Sequence, residues 1–251
     1  AAAAGRDKPW LFAHDGEELS PEEEAGYEKM LALRLDGQPV SYILKSKEFY
    51  GLEFYVDGRV LVPRPDTETL VDTAMEILTA QPGIIRIHDV CTGTGCVPLA
   101  IARCRAADGL EISASDISPA ALEVFRMNCR GLLGRELPHR QSDLLESAGG
   151  PFDMITANPP YITREECARM LASGWPEPEL ALNGGEDGLD IIRRLAAQAQ
   201  EALSHGGWLV MEASPEQADT IKDMLEKRRW RDTRIVRDLA GRKRVIAGRK
   251  V

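Results

Sequence analysis

Four consecutive residues that follow a hydrophobic stretch, Asn158-Pro159-Pro160-Tyr161, have types suited to handling a planar amino group. Each proline fixes its own φ and lacks a backbone N–H, and the residue before a proline is pushed toward extended backbone. The sequence therefore predicts a stiff, non-helical turn. It offers carbonyl oxygens and one side-chain amide as hydrogen-bond acceptors, and an aromatic ring closes it. The alternative is a proline-rich strand exit in which the asparagine only caps the turn.

A second group with chemical potential, residues 88–95 (HDVCTGTG), follows a predicted strand and opens a predicted helix. Gly93 and Gly95 let the backbone pass close to a ligand, and the start of the helix offers free N–H groups. A dinucleotide site requires a further glycine three residues after the second one, which is absent here. Asp89 would repel a diphosphate, but it suits an ammonium group.

Two more acids end the following strands: Asp116 lies 27 residues after Asp89, and Asp143 follows the third strand. A carboxylate at Asp116 can accept hydrogen bonds from both hydroxyls of a ribose, and Asp143 lies where an adenine amine would be reached. Each acid alone could equally be a solvated strand end. Three acids at successive strand ends beside a glycine turn favour a nucleoside pocket. The predicted pocket also includes neighbours of these acids and the asparagine of the proline turn: Val90, Cys91, Thr92, Ile117, Leu144 and Asn158.

The elements that must position these residues alternate between strand and helix from residue 84 onward. We predict strands over 84–90, 110–116, 138–143, 152–158 and 206–214, with helices around 97–106, 118–130, 187–204 and 215–229. This alternation is typical of a parallel sheet covered on both faces. Two further strands, 232–239 and 244–250, have no helix between them, which predicts an antiparallel pair at the sheet edge. The expected fold class is a Rossmann-like α/β domain with a seven-stranded sheet.

The preceding residues follow a different pattern. Helical patterning over 1–45 includes a helix that begins with Ser20 as its N-cap and ends at Gly37. Residues 48–62 alternate around Asp57-Gly58, which predicts a hairpin, and an amphipathic helix follows Pro65. We therefore divide the chain into a remnant helical substrate-docking domain (1–45), a hairpin linker (46–74) and the main domain (75–251).

Composition excludes several classes of protein. The 251 residues carry a net charge of −9 and no long apolar run, so no membrane span is expected. Five cysteines without a CxxC pair predict neither a metal site nor a disulfide framework, and they favour a reducing cytoplasm. Residues 222–251 hold 12 Lys/Arg against 4 Asp/Glu, whereas the remaining residues hold 19 against 36. This basic end is interpreted as a solvated edge of the fold or as a docking patch for an acidic or RNA-bound partner.

Together, the glycine turn and the acids resemble the class I S-adenosylmethionine-dependent methyltransferases, in which a proline turn of this type marks transfer to a planar nitrogen. Three longer stretches closely resemble the HemK/PrmC family, the protein-(glutamine-N5) methyltransferases of peptide chain release factors: 48–71 (EFYGLEFYVDGRVLVPRPDTETLV), 176–190 (PEPELALNGGEDGLD) and 238–248 (DLAGRKRVIAG). The resemblance implies that S-adenosyl-L-methionine is the cofactor, S-adenosyl-L-homocysteine the product, and the glutamine of a release factor's Gly-Gly-Gln loop the substrate.

The resemblance also implies roles for residues around the pocket. Asn158, Pro159, Pro160 and Tyr161 would orient the substrate amide during catalysis. A wall that binds substrate would be formed by Pro63, Arg64, Pro65, Thr67 and Glu68, in which Arg64 holds a lid or a substrate carbonyl, or pairs with Glu68. Trp175 and residues 183–186 would lie on a long substrate-binding loop.

Cys91 departs from the family pattern, which usually has glycine there, and Pro98 replaces a small helix former. The runner-up function is a DNA or RNA amino-methyltransferase acting on adenine N6 or guanine N2, which would need base flipping and a basic cleft. A cofactor-binding module without catalysis is the contrasting class. We expect a cytoplasmic monomer whose partner is a release factor, with no membrane contact and no direct nucleic-acid contact.

Overall fold

The N-terminal part of the computed structural model, which describes residues 1–107 and 109–251, is helical. A 3₁₀ turn at Ala2–Ala4 precedes three helices: α1 (Lys8–Ala13), α2 (Pro21–Leu35) and α3 (Val40–Leu44). Helix α2 begins as predicted, because the Ser20 side chain accepts the Glu23 N–H and the Glu23 carboxylate accepts the Ser20 N–H. The Tyr42 hydroxyl donates to the Val60 carbonyl at 2.5 Å, which ties α3 to the linker segment after the hairpin.

A hairpin follows, but its turn differs from the predicted one. Strands β1 (Lys47–Phe49) and β2 (Leu52–Phe54) pair across Tyr50-Gly51, so the prediction of a hairpin turn at Asp57-Gly58 is wrong. Asp57 forms a local turn instead, because its side chain accepts hydrogen bonds from the backbone N–H and the guanidinium of Arg59. Both aromatic ends of the hairpin, Phe49 and Phe54, are buried in the main core.

The central sheet has seven strands: β3 (Arg86–Val90), β4 (Glu111–Asp116), β5 (His139–Gln141), β6 (Phe152–Ala157), β7 (Leu203–Glu212), β8 (Arg231–Arg237) and β9 (Lys243–Arg249). Their order across the sheet is β5-β4-β3-β6-β7-β9-β8. The first five strands are parallel, and β9 pairs antiparallel with both β7 and β8. The predicted fold class and the antiparallel edge pair are confirmed.

Helices cover both faces of this sheet because alternate strand residues point to opposite sides. One face packs against α4 (Glu68–Ala80), α5 (Cys96–Cys104) and α6 (Pro119–Leu133). The other packs against α8 (Asp190–Ala202) and α9 (Ala218–Lys227). Within β6, Met154 lies in the first core and its neighbour Ile155 in the second. None of the described helices is long and apolar enough to cross a membrane.

One predicted boundary and one predicted loop differ from the structure in detail. Helix α4 runs through residue 75, the predicted start of the main domain, and its apolar face is part of the main core. The segment after the proline turn is not an irregular loop, because it contains α7 (Arg164–Ala172) and a 3₁₀ turn at Glu179–Ala181.

The direction of the strands fixes where a site can form. From β3 the chain crosses to β4 and then β5 on one side, and it later returns to place β6 on the other side of β3. In open parallel sheets a crevice forms at such a reversal, outside the carboxyl ends of the strands. The glycine turn follows β3 and the proline turn follows β6, and these two strands are neighbours. Both candidate motifs therefore lie at the same edge.

His88 is a buried core residue of β3 and takes no part in this edge. Its ring nitrogens lie 2.8 Å from Ser113 Oγ and 2.9 Å from Ser115 Oγ, and the ring stacks on Phe152. Burial, with a smaller contribution from Arg140, lowers the pKa of His88 to about 4. The imidazole is therefore neutral in the folded protein at neutral pH.

We predict that His88 weakens the fold in mild acid. The unfolded chain takes up a proton near the ordinary pKa of 6.5, whereas the folded chain does so only near pH 4. Stability should therefore fall between pH 6.5 and 4, by about 3 kcal/mol from this residue. Denaturant unfolding at several pH values measures it, and His88→Gln should flatten this part of the curve. Parallel curves for the variant and the unchanged protein would contradict the assignment.

Candidate active site

The turn between β3 and α5 forms the floor of a cavity at the carboxyl edge of the sheet. Asp89, Cys91, Thr92 and Gly93 line this cavity. Cys91 and Gly93 have positive φ values of 57° and 54°, and a Cβ at Gly93 would meet no atom within 4 Å. The backbone therefore comes to the cavity surface at Gly93. Val90 is buried in the core beneath.

Gly95 contributes in a different way from the predicted one. It is the N-cap of α5, with φ 79°, and it does not line the cavity. A Cβ there would lie 2.4 Å from Cδ2 of Phe125 and 3.1 Å from Cδ1 of Leu99. Only glycine therefore allows the turn to pack this closely on α6.

Asp89 is buried at the end of β3 and accepts a hydrogen bond of 2.5 Å from the Thr156 hydroxyl on β6. Burial raises the pKa of Asp89 to about 7, and the Thr156 hydrogen bond only partly opposes that shift. A cationic group in the cavity would favour the ionised carboxylate. Burial also raises the pKa of the Cys91 thiol, so the thiolate that a nucleophilic cysteine needs is disfavoured.

Asp116, at the end of β4, holds two loops in position. Its Oδ2 accepts the Gly93 N–H and its Oδ1 accepts the Ser118 N–H, both at 2.9 Å. Burial raises the pKa of Asp116, and these backbone hydrogen bonds oppose the shift. Each carboxylate oxygen has a second lone pair that can accept a hydroxyl of a ligand. The neighbouring Ile117 lines the cavity and is 42% exposed.

Asp143 and Leu144 follow β5 and line the far side of the cavity. The Asp143 carboxylate lies 2.6 Å from Nη2 of Arg194 on α8, so this acid is held by an ion pair at the cavity rim. Leu144 is buried and has a positive φ of 53°. Three carboxylates, from Asp89, Asp116 and Asp143, thus line one cavity, and their binding of a nucleoside stays a prediction.

The donors and acceptors around the cavity fit S-adenosylmethionine. Asp89 can accept from an ammonium group, Asp116 can accept from ribose hydroxyls, and Asp143 can accept from an adenine amine. The exposed side chain of Ile117 offers an apolar face on which an aromatic base can pack. These are the residues that would hold the cofactor, and each of them faces the cavity.

The proline turn forms the wall next to this floor. Asn158 and Pro160 line the cavity, whereas Pro159 and Tyr161 do not. The Asn158 Nδ2 donates to Thr67 Oγ1 at 3.3 Å. The Tyr161 hydroxyl donates to Oε1 of Glu212 at 3.3 Å, on the side of the second core. The predicted role of Tyr161 in orienting the substrate amide remains a prediction.

The predicted substrate wall is present only in part. Pro63, Arg64 and Thr67 line the cavity, and Pro65 and Glu68 do not. Glu68 instead accepts the Tyr50 N–H at 2.9 Å and anchors the hairpin. The alternative ion pair between Arg64 and Glu68 does not form, because Arg64 pairs with Glu177.

Glu177 is a residue that holds the wall of the site in place and that the sequence did not indicate. This buried carboxylate pairs with Arg64, accepts the Val62 N–H at 2.9 Å and accepts the Trp175 indole N–H at 3.0 Å. It therefore joins the 62–64 strip to the segment after α7. The sequence feature that could have indicated this role is the position of Glu177 between Pro176 and Pro178. Two prolines stiffen the backbone around the acid, which a solvated loop does not require.

Residues 183–186, on the predicted substrate-binding loop, lie with Gly188 against the proline turn. Asn183 lines the cavity, Gly184 and Gly188 pack against backbone, and Gly185 packs against the Asp190 side chain. A Cβ at Gly184 would lie 2.8 Å from the Pro160 carbonyl oxygen, and one at Gly188 would lie 2.3 Å from the Tyr161 carbonyl oxygen. The Gly184 N–H donates to the Ile162 carbonyl at 2.7 Å. The close spacing of these glycines in the sequence is the feature that could have indicated that they pack closely on other parts of the chain.

The basic C-terminal stretch is divided between two places. Near the cavity, Arg242 and Arg244 pair with Asp66 and Asp238, and Lys243 pairs with Asp219. Arg231 begins β8 opposite Arg249, at the end of the sheet far from the cavity. Internal ion pairs thus account for the basic residues nearest the site, which favours the interpretation as an edge of the fold.

Comparison with known proteins agrees with this geometry. Residues 1–44 match the family model of the PrmC N-terminal domain, and residues 67–174 match that of the methyltransferase small domain. The 16S rRNA N2 G1207 methyltransferase of T. thermophilus, solved with AdoMet and guanosine, has a similar fold. Its TM-score is 0.58 at 18% identity, over 82% of this chain and 50% of that one. The fold and the site define a methyltransferase that uses S-adenosylmethionine.

Sequence relatives narrow the class. A release factor glutamine methyltransferase from Koribacter versatilis (strain Ellin345) is 39% identical over 249 residues, which cover 97% of this chain and 86% of that protein. One from Clostridium acetobutylicum is 34% identical over 246 residues, covering 96% and 85%. The chain belongs to the family of release factor glutamine methyltransferases.

We predict that Asp116→Ala weakens S-adenosylmethionine binding. Each hydrogen bond from a ribose hydroxyl to a carboxylate contributes about 1.5–3 kcal/mol, so the dissociation constant should rise at least about tenfold. Titration calorimetry measures it. Asp116→Asn, which keeps one acceptor oxygen, is the control and should lose less. Unchanged affinity in the alanine variant would remove Asp116 from the cofactor site.

We also predict that Gly188→Ala displaces the proline turn. Its Cβ would overlap the Tyr161 carbonyl, and forcing atoms into a packed site costs about 1–3 kcal/mol. Gly174→Ala is the matched control, because Gly174 also has a positive φ but a Cβ there would meet nothing within 4 Å. Thermal unfolding and methyl transfer should both suffer more in Gly188→Ala. Equal effects would show that only backbone strain matters.

Proposed function

We propose that this chain transfers a methyl group from S-adenosylmethionine to the side-chain amide nitrogen of the glutamine in the Gly-Gly-Gln motif of a peptide chain release factor. The observation that carries the proposal is the position of Asn158. Its side chain lines the same cavity as Asp89 and Asp116, and its Nδ2 is engaged by Thr67, which leaves Oδ1 as an acceptor. Membership of the release factor glutamine methyltransferase family supports the choice of substrate.

A glutamine amide nitrogen is a poor nucleophile because its lone pair is delocalised into the carbonyl group. Asn158 Oδ1 would accept one N–H of this amide. The Pro159 carbonyl, the predicted acceptor of the other N–H, does not line the cavity and would have to turn toward it to hold both hydrogens in fixed directions. The cofactor, when bound, supplies an electrophilic methyl group on a sulfonium, and S-adenosylhomocysteine is the expected product. Asn158 is not a base, so its contribution is orientation and placement of partial charge.

The charges around the cavity argue against the alternative of a DNA or RNA amino-methyltransferase. Within the described residues, three arginines line the cavity, and each is paired with a carboxylate. Arg59 pairs with Asp57, Arg64 with Glu177, and Arg194 with Asp143. A nucleic-acid backbone requires cations that are free to neutralise phosphates. A short, neutral peptide loop carrying an amide suits this surface better.

We further propose that the enzyme acts as a monomer in the cytoplasm. The residues that line the cavity all come from this chain, and its five cysteines include no CxxC pair, which suits a reducing compartment.

The direct test of the proposal is incubation of the chain with labelled S-adenosylmethionine and purified release factor, with DNA and RNA in parallel reactions. We expect label on the glutamine of the Gly-Gly-Gln motif, located by mass mapping. A release factor in which this glutamine is replaced is the control and should stay unlabelled. Label in nucleic acid, with none on the protein, would overturn the assignment.

We predict that Asn158→Ala lowers kcat by about 10²–10³, as when one preorganised polar group is removed from a catalytic site. Cofactor affinity, measured by calorimetry, should change much less because the acids of the floor remain. Asn158→Asp should keep more activity than the alanine variant, since a carboxylate still accepts from the substrate amide. If alanine equalled or exceeded aspartate, the Pro159 carbonyl would be the orienting acceptor instead.

A further inference from the structure

The amide of Asn158 has two ends, and only one of them can help the proposed reaction. When Oδ1 faces the substrate, Asn158 accepts an N–H of the substrate amide. When Nδ2 faces the substrate, two N–H donors oppose each other and no hydrogen bond forms. The two orientations have nearly the same shape, so packing alone does not select between them. A group with fixed polarity must make the choice. The partner of Nδ2 is Thr67 Oγ1, at 3.3 Å.

A threonine hydroxyl can accept and donate, so it fixes polarity only if its own hydrogen has an obligatory acceptor. The nearest candidate for that acceptor is Glu212 at the end of β7. Its side chain is 1% exposed, and Oε1 already accepts the Tyr161 hydroxyl. Its Oε2 is buried without a hydrogen-bond partner among the described residues, so it is free to accept the Thr67 hydroxyl. Burial raises the pKa of Glu212, the nearby Thr67 hydroxyl and Arg244 lower it, and Asp66 adds to the rise.

We propose that Glu212 is a positioning residue that, through Thr67, holds Asn158 with its side-chain oxygen toward the substrate. An ionised carboxylate can only accept, so it takes the Thr67 hydrogen and leaves Oγ1 as an acceptor for Nδ2 of Asn158. The reversed arrangement would require Thr67 to donate to Oδ1. A buried carboxylate would then lose a donor that water cannot replace. This inference rests on the proposed function.

Of the charged groups near Glu212, Arg244 favours an ionised carboxylate and Asp66 opposes it. Arg244 is mostly buried beside Glu212 and also pairs with Asp66, which directly precedes Thr67. Arg242 pairs with the same Asp66. The 3₁₀ turn at Pro65–Thr67 is thus fixed by two arginines from the β9 segment, which keeps the Thr67 hydroxyl between Glu212 and Asn158.

The test combines Glu212→Gln with Asn158→Asp. The glutamine side chain has nearly the same shape, but it can donate to Thr67 and so allows the amide of Asn158 to reverse. With Asn158 present, Glu212→Gln should lower kcat about tenfold or more, as when a hydrogen bond to a charged group is lost, and leave cofactor affinity unchanged. In the Asn158→Asp background there is no amide to reverse. Glu212→Gln should cause no further loss there, because either oxygen of the new carboxylate accepts. Equal losses in both backgrounds would show a merely structural role.

A second measurement does not depend on activity. The side-chain amide signal of Asn158 in ¹⁵N spectra is assigned by its absence from Asn158→Asp. It should shift or broaden in Glu212→Gln and in Thr67→Val, but stay in place in Thr67→Ser, which keeps the hydroxyl. An unchanged signal in the first two variants would overturn the inference, whichever substrate is methylated. Failure of the unchanged protein to label a release factor would instead contradict the proposed function.

Discussion

Burial of carboxylates at one edge of the sheet is the constraint on which the shape of the site depends. A buried carboxylate is tolerated only when donors surround it, and here the donors come from different segments of the chain. Asp116 is satisfied by the N–H groups of Gly93 and Ser118, and Glu177 by Val62, Arg64 and Trp175. The loops are therefore placed by the acids that they satisfy, and the cavity is the space that remains between them.

The same arrangement selects what can enter. The acids of the floor favour a ligand with a positive charge and several hydroxyl or amino donors, while the arginines at the rim already have carboxylate partners. An anionic polymer would meet negative potential without free cations to offset it. A neutral amide does not have this problem, since it needs only acceptors of fixed polarity. Selectivity thus follows from which charges are already paired, as much as from the shape of the walls.

Local patterns in the sequence are sufficient for the sheet, the three acids and the proline turn, because strand ends and turn residues are recognised by their neighbours. Long-range partners are not accessible in this way. The hairpin turn is predicted at Asp57-Gly58, since nothing nearby reveals that the Asp57 side chain is held by Arg59. The sequence offers Glu68, one helical turn away, as the partner of Arg64, and the actual partner is Glu177. Gly184 and Gly188 contact the backbone of the proline turn, and because these contacts exist only in three dimensions the sequence does not reveal them.

The link between Val62 and Glu177 spans 115 residues of sequence. Contacts of such separation form late, because the intervening chain must first be ordered. During synthesis the residues of the floor, which end at Leu144, emerge before residue 177, but neither the floor nor the wall held by Glu177 is complete at that point. Asp143 still lacks its partner Arg194, and Val90 and Leu144 still lack the α8 residues that pack in the same core. Full recognition arises only once most of the polypeptide exists.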